Sequence, residues 1–200
     1  VTQVNDTAAI INAKLEEGPH VVVSPGVYKL LASLVVSHPH QVLLGLGLAT
    51  LVAANGQPCV TVKAGTVGVR VAGLLLQAGT KPTKTLLQWG SPAAEGTTSS
   101  AVAAAAATAA AAAAATAAAP VAPGLLADVF ARVGGPDTGE VQVEVMIDIG
   151  ADAGPVVGDN LWLWRADHDR SGLVPGGRNP CRTGLRVRGR DVTMYGLAVE

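Results

Sequence analysis

Apolar and polar positions alternate with a period of two through much of the chain, in short runs punctuated by Gly, Pro, Asn or Ser. The runs are V-V-V-S at 21–24, V-Y-K-L at 27–30 behind a Pro25–Gly26 turn, L-V-V at 34–36 and Q-V-L-L-G-L-G at 41–47. C-V-T-V-K at 59–63 and V-G-V-R-V at 67–71 continue the series. Enrichment in β-branched residues and the two-residue period predict short half-buried strands. One segment breaks the pattern. D-T-A-A-I-I-N-A-K-L-E-E at 6–17 places Ile10, Ile11, Lys14 and Leu15 on one stripe, which predicts a helix with Asp6 as N-cap and Gly18 as its stop.

A weak internal repeat organises the strands. V69-R-V-A-G-L-L-L-Q77, V156-V-G-D-N-L-W-L-W164 and V192-T-M-Y-G-L-A-V-E200 superimpose, and L125-L-A-D-V-F-A-R132 joins them from its Asp onward. Each has a turn-forming residue followed by aliphatic side chains at alternate positions. The turn residues Asp128, Asn160 and Gly196 are spaced at 32 and then 36 residues, one coil of a β-solenoid plus a loop. A sandwich would need hairpins, and Asn-Gly occurs once, at 55–56. The expected fold is therefore all-β, a parallel β-helix over residues 1–200 with an N-terminal capping helix. Segment 91–124 interrupts it as a low-complexity insertion, with sixteen of the nineteen residues at 101–119 being Ala.

The repeat predicts which way each side chain points. Leu74, Leu76, Val129, Ala131, Leu161, Leu163, Leu197 and Val199 form the inward set. The outward rows are then Leu75, Phe130, Trp162, Ala198 and Gln77, Arg132, Trp164, Glu200. An outward patch of Phe130, Trp162 and Trp164 with Arg132 and Glu200 calls for a cover or a ligand. Segment 169–182 folding back, or a neighbouring domain, would supply a cover. Carbohydrate stacking on the indole rings would supply a ligand. A one-residue slip in register would instead bury both indoles.

Composition narrows the chemistry. The net charge of −1, with 14% charged residues, gives no footprint for nucleic acid, and the one long apolar stretch is mostly Ala, unlike a membrane span. The arginines at 178–190 read as a solvated edge. Cys59 and Cys181 leave pairing open, zinc-type Cys/His spacing is absent, and no cofactor-binding motif occurs. Beside the aromatic row lie Arg165, Asp167, His168, Asp169 and Asp159, which supply carboxylates and a base without fixing a catalytic pair. The chain begins without Met and stops within a strand-like segment, and is expected to be the N-terminal part of a longer protein.

The strings G-P-H-V-V-V-S-P-G-V-Y-K-L, H-Q-V-L-L-G-L-G-L-A-T-L-V, D-V-F-A-R-V-G-G, D-N-L-W-L-W-R-A-D-H and D-V-T-M-Y-G-L-A-V-E resemble the pectate-lyase superfamily of right-handed parallel β-helices. The nearest branch is glycoside hydrolase family 55, the exo-β-1,3-glucanases or laminarinases. The resemblance spans the chain except about 91–124, where the Ala-rich insertion departs from the family. It implies a secreted, carbohydrate-active protein with polysaccharide as partner and a second β-helical domain beside the first. It implies hydrolysis of a β-1,3-glucan-like polysaccharide by acid–base carboxylates, but none of the residues here matches the family's general acid. Two alternatives stand: a non-catalytic solenoid binding glycan or protein, and a Ca²⁺-dependent polysaccharide lyase using Asp167, Asp169 and Arg165.

Overall fold

The computed structural model describes residues 1–93, 121–136, 138–174 and 178–200. It is a right-handed parallel β-helix of stacked coils. Strands β1 (Val21–Val23), β2 (Val27–Leu30), β4 (Val42–Ala53), β6 (Arg70–Ala78), β8 (Gly124–Val133), β10 (Val156–Arg165) and β14 (Val192–Val199) build the first sheet. Its order is β1-β4-β6-β8-β10-β14, with β2 also paired to β4. The second sheet takes β3 (Leu34–Val36), β5 (Val60–Val62), β7 (Thr83–Trp89), β9 (Val143–Ile149) and β13 (Cys181–Val187), one from each successive coil. Every pairing within these two sheets is parallel. A small antiparallel pair, β11 (His168–Asp169) with β12 (Gly172–Leu173), stands apart.

The long strands of the first sheet turn a corner at the repeat's small residue. Gly73, Asp128, Asn160 and Gly196 stack there with φ of 68°, 52°, 52° and 58°, in the left-handed region. Gly, Asn and Asp tolerate that conformation best, which is why the repeat selects them. Gly73 has a second constraint, since a β-carbon there would lie 2.4 Å from the carbonyl oxygen of Gly45 on the preceding coil. Between the next two coils there is room for side chains, and Asn160 Nδ2 donates to Asp128 Oδ1 at 2.6 Å.

Beyond the corner, alternation runs as the sequence predicts. Ala49, Leu74, Val129 and Leu161 form one buried row, and Leu51, Leu76, Ala131 and Leu163 the next, each in register with its neighbour. Leu197 and Val199 continue both rows, but they are 40% and 54% exposed because among the described residues no strand lies beyond β14. The second sheet supplies the opposing rows Leu34–Val60–Leu87–Ile147 and Val36–Val62–Trp89–Ile149.

The capping helix α1 spans Ala8–Glu16, shorter than the expected 6–17. Thr7, not Asp6, is the N-cap, its side chain accepting from the Ile10 N–H. Asp6 lies one residue further out, where Oδ2 accepts from the Gln3 N–H and from Lys14 Nζ, both at 3.0 Å. Ala8, Ile11 and Leu15 are the buried stripe, whereas Ile10 is exposed. Asn12 closes the sheet edge: its Nδ2 donates to the Ser33 carbonyl and its Oδ1 accepts from the Val35 N–H. An unpaired strand edge is thus blunted at this end. Gly18, at φ 89°, ends the helix as expected.

Most of the Ala-rich insertion, 94–120, lies outside the described residues. Its roots lie between β7 and β8, with Ser91 bonded to Asp152 and the Ala122 carbonyl accepting from the Gly68 N–H. No helix among the described residues is long and apolar enough to cross a membrane. Cys59 and Cys181 are both free thiols; burial pushes the Cys59 thiol up to about 12.

Candidate functional site

The expected aromatic row exists and faces outward. Leu75, Phe130, Trp162 and Ala198 are consecutive register partners on β6, β8, β10 and β14. Gln77, Arg132 and Trp164 form the second row, and Glu200 reaches it through the backbone bonds of Arg165 and Leu163. Trp162 is 37% exposed, Phe130, Arg132 and Trp164 are half-buried, and Glu200 is exposed. Gln77, expected outside, is outward in register yet buried, because the Arg132 guanidinium lies over it and donates from Nη2 to its Oε1.

The rings lean on one another. Trp162 and Trp164 stack at 5.4 Å and 22°, and Phe130 meets Trp162 edge-on at 5.7 Å. His168 tilts against Trp164 at 5.5 Å, so the β11–β12 loop reaches the end of the row but leaves Trp162 open. The notch between Leu75, Phe130, Ala131, Arg132, Trp162 and Trp164 holds about 80 Å³. Small-molecule pockets typically hold about 300–1,000 Å³.

Asp167 and Asp169, near this row, are committed to local partners. Asp167 is exposed and bonds His168 Nδ1 at 2.8 Å, which holds its carboxyl below the usual range. Asp169 is buried. The Ser171 hydroxyl, the Ser171 N–H and Arg178 hold its carboxyl low. Arg165 turns away to donate to the Arg178 carbonyl, and Asp159 stays exposed at the corner. The candidates therefore share a neighbourhood without converging on one reacting position. Among the described residues, no group of three or more His, Cys, Asp or Glu side chains is placed to hold a metal ion.

The arginine cluster departs from a solvated edge. Arg182 and Arg190 are exposed, but Arg186 and Arg188 grip Asp148, whose side chain is fully buried, at 2.9 and 3.1 Å. Burial pushes the Asp148 carboxyl up, and the two guanidinium groups outweigh it and hold it below the usual range. Arg188 also donates to the Ser91 carbonyl, tying the root of the insertion to this pair.

Asp148 belongs to an outward row that the sequence reading missed. Val35, Thr61, Gln88, Asp148 and Arg186 are successive register partners across the second sheet. Over this row lies a groove of about 530 Å³ lined by Ser33, Thr61, Lys84, Thr85, Gln88, Glu144 and Arg186, among others. Its hydroxyls, amide and charges are the donors and acceptors that a polyhydroxylated ligand uses. The signal available in the sequence was L-L-Q-W-G, in which a polar residue interrupts an apolar run at strand parity.

The profile of the LAM55 pectate lyase-like domain matches residues 1–200. The chain belongs to that family. The pectate-lyase-superfamily architecture and the family 55 branch inferred from the sequence are thus established. An exo-β-1,3-glucanase of Streptomyces sp. (strain SirexAA-E / ActE) is 34% identical over 195 residues, covering 97% of this chain and 27% of that protein. The solved structure of Lam55A from Streptomyces sp. SirexAA-E superimposes with a TM-score of 0.76 at 31% identity, over 97% of this chain and 30% of that one. A variant of the same protein in complex with glucose gives a TM-score of 0.75 at 28% identity, over 98% and 33%. The chain therefore spans about a third or less of the length of these relatives.

Proposed function

We propose that this chain is a β-helical domain of an extracellular enzyme that hydrolyses a β-1,3-glucan-like polysaccharide with acid–base carboxylates. The observation that carries the reading is the match across the whole chain, with 34% identity over 195 residues to an exo-β-1,3-glucanase. Within the domain, the glycan lies along the polar groove of the second sheet, which is large enough for sugar rings and rich in hydrogen-bonding groups. The aromatic row, including Phe130, Arg132, Trp162 and Trp164, with Arg165, Asp167, His168 and Glu200 around it, is a contact face for a second β-helical domain. Its notch is too small for a pyranose, and its ring faces are turned against each other.

A glycosidase general acid needs a carboxyl group with a raised pKa. Asp148, Asp152, Asp167 and Asp169 are all held low, so none serves as that acid at neutral pH. On this reading the proton donor is a carboxyl group other than these four.

The test is incubation of the full-length enzyme that carries this domain with laminarin, following reducing ends and ultraviolet absorbance together. The hydrolase reading expects reducing sugar without an unsaturated product. A Ca²⁺-dependent rise in ultraviolet absorbance would favour the lyase. Laminarin binding with neither product would favour the non-catalytic solenoid.

A further inference from the structure

Arg132 is an unpaired charge of the aromatic face. Its Nη2 donates to Gln77, its Nε is buried without a partner, and among the described residues no carboxylate pairs with it. It borders the notch that Leu75, Phe130 and the two tryptophans form. Tryptophan and arginine dominate the energetically important centres of protein interfaces, where burial and exclusion of water strengthen a charge pair. A notch of about 80 Å³ suits one aliphatic side chain rather than a sugar ring.

We propose that this face is closed by a polypeptide segment carrying a carboxylate that pairs with Arg132, next to an aliphatic side chain that fills the notch. This rests on the contact reading given above. The relatives, three or more times as long as this chain, have ample polypeptide for such a segment. Charge complementarity selects an acidic segment, and the apolar rim selects one whose acid is flanked by Leu, Ile or Val.

The test pans a phage-displayed library of random dodecapeptides on the immobilised 200-residue chain. The Trp162→Ala, Trp164→Ala double variant serves as subtractive bait. The expected result is enrichment of Asp or Glu beside an aliphatic residue. Synthetic copies of those peptides should lose affinity about tenfold or more with Arg132→Gln and weaken as salt rises. If Arg132→Gln fails to fold, Arg132→Lys keeps the charge and should retain part of the affinity while losing the paired geometry. Peptides without a carboxylate, peptides indifferent to Arg132→Gln, or no enrichment at all would overturn the carboxylate pairing. A different result bears on the contact reading itself: quenching of Trp fluorescence by laminaripentaose, abolished by Trp162→Ala, would replace it with a sugar platform.

Discussion

Replacing Arg186 and Arg188 together by Met should destabilise the domain by about 3 kcal/mol or more at neutral pH, read by urea denaturation. Both guanidinium groups serve one carboxylate, Asp148, whose side chain is fully buried. Removing them strands a charge that water cannot reach, and stranded buried charges cost more than the intact pair is worth. Adding Asp148→Leu to the double variant should recover most of the loss, because an apolar side chain removes the unpaired charge. The pH dependence has a definite sign. In the wild type the folded carboxyl is held below its unfolded value of about 3.9, so its stabilisation is fully present above that value and is lost as pH falls through the lower folded value. In the double variant burial acts unopposed and raises the carboxyl. The stability gap between the two proteins should therefore narrow as pH falls toward and below about 4.

Trp89→Ala should cost about 3–5 kcal/mol, the largest effect of any single truncation in the core. Trp89 is 1% exposed and the largest fully buried side chain, and its ring rests on Gly124, where a β-carbon would come within 2.4 Å of Cζ2. Its strand ends at the root of the insertion, and the Trp89 carbonyl accepts from the Gly150 N–H of the next coil. A void there loosens the stacking of two coils at once. The control is Trp162→Ala, which should cost under about 1 kcal/mol because that ring lies on the surface. Thermal or urea unfolding of both variants checks the pair, and equal losses would mean that the outward register of β10 is wrong.

The contrast between these tryptophans also marks what was legible in the sequence. D-N-L-W-L-W-R-A-D-H was readable because the repeat placed Asn160 at a corner and Leu161 and Leu163 in rows, leaving the indoles outside. Side-chain parity is a local property, and the β-helix keeps it over every coil. Trp89 was not singled out, since L-L-Q-W-G has no partner in the repeat and its burial depends on the opposing sheet. The pairing of Arg186 and Arg188 with Asp148 joins residues 38 and 40 positions apart, through a register that only coil stacking defines. Charge spacing alone therefore read the cluster as solvated. The polar groove was hidden for the same reason, as Thr61, Gln88 and Arg186 are neighbours only across strands. The helix shifted by a residue because Asp6 and Thr7 both qualify as caps by composition, and geometry gave the position to Thr7.

The groove and the aromatic face make opposite claims on a glucan, and a titration separates them. Laminaripentaose is titrated by calorimetry into the chain, into Gln88→Ala, and into the Trp162→Ala, Trp164→Ala double variant. Glycan binding in the groove predicts that Gln88→Ala weakens binding about three- to tenfold, as expected for one lost hydrogen bond, while the double variant binds as the wild type does. Binding abolished in the double variant and unchanged in Gln88→Ala would contradict it.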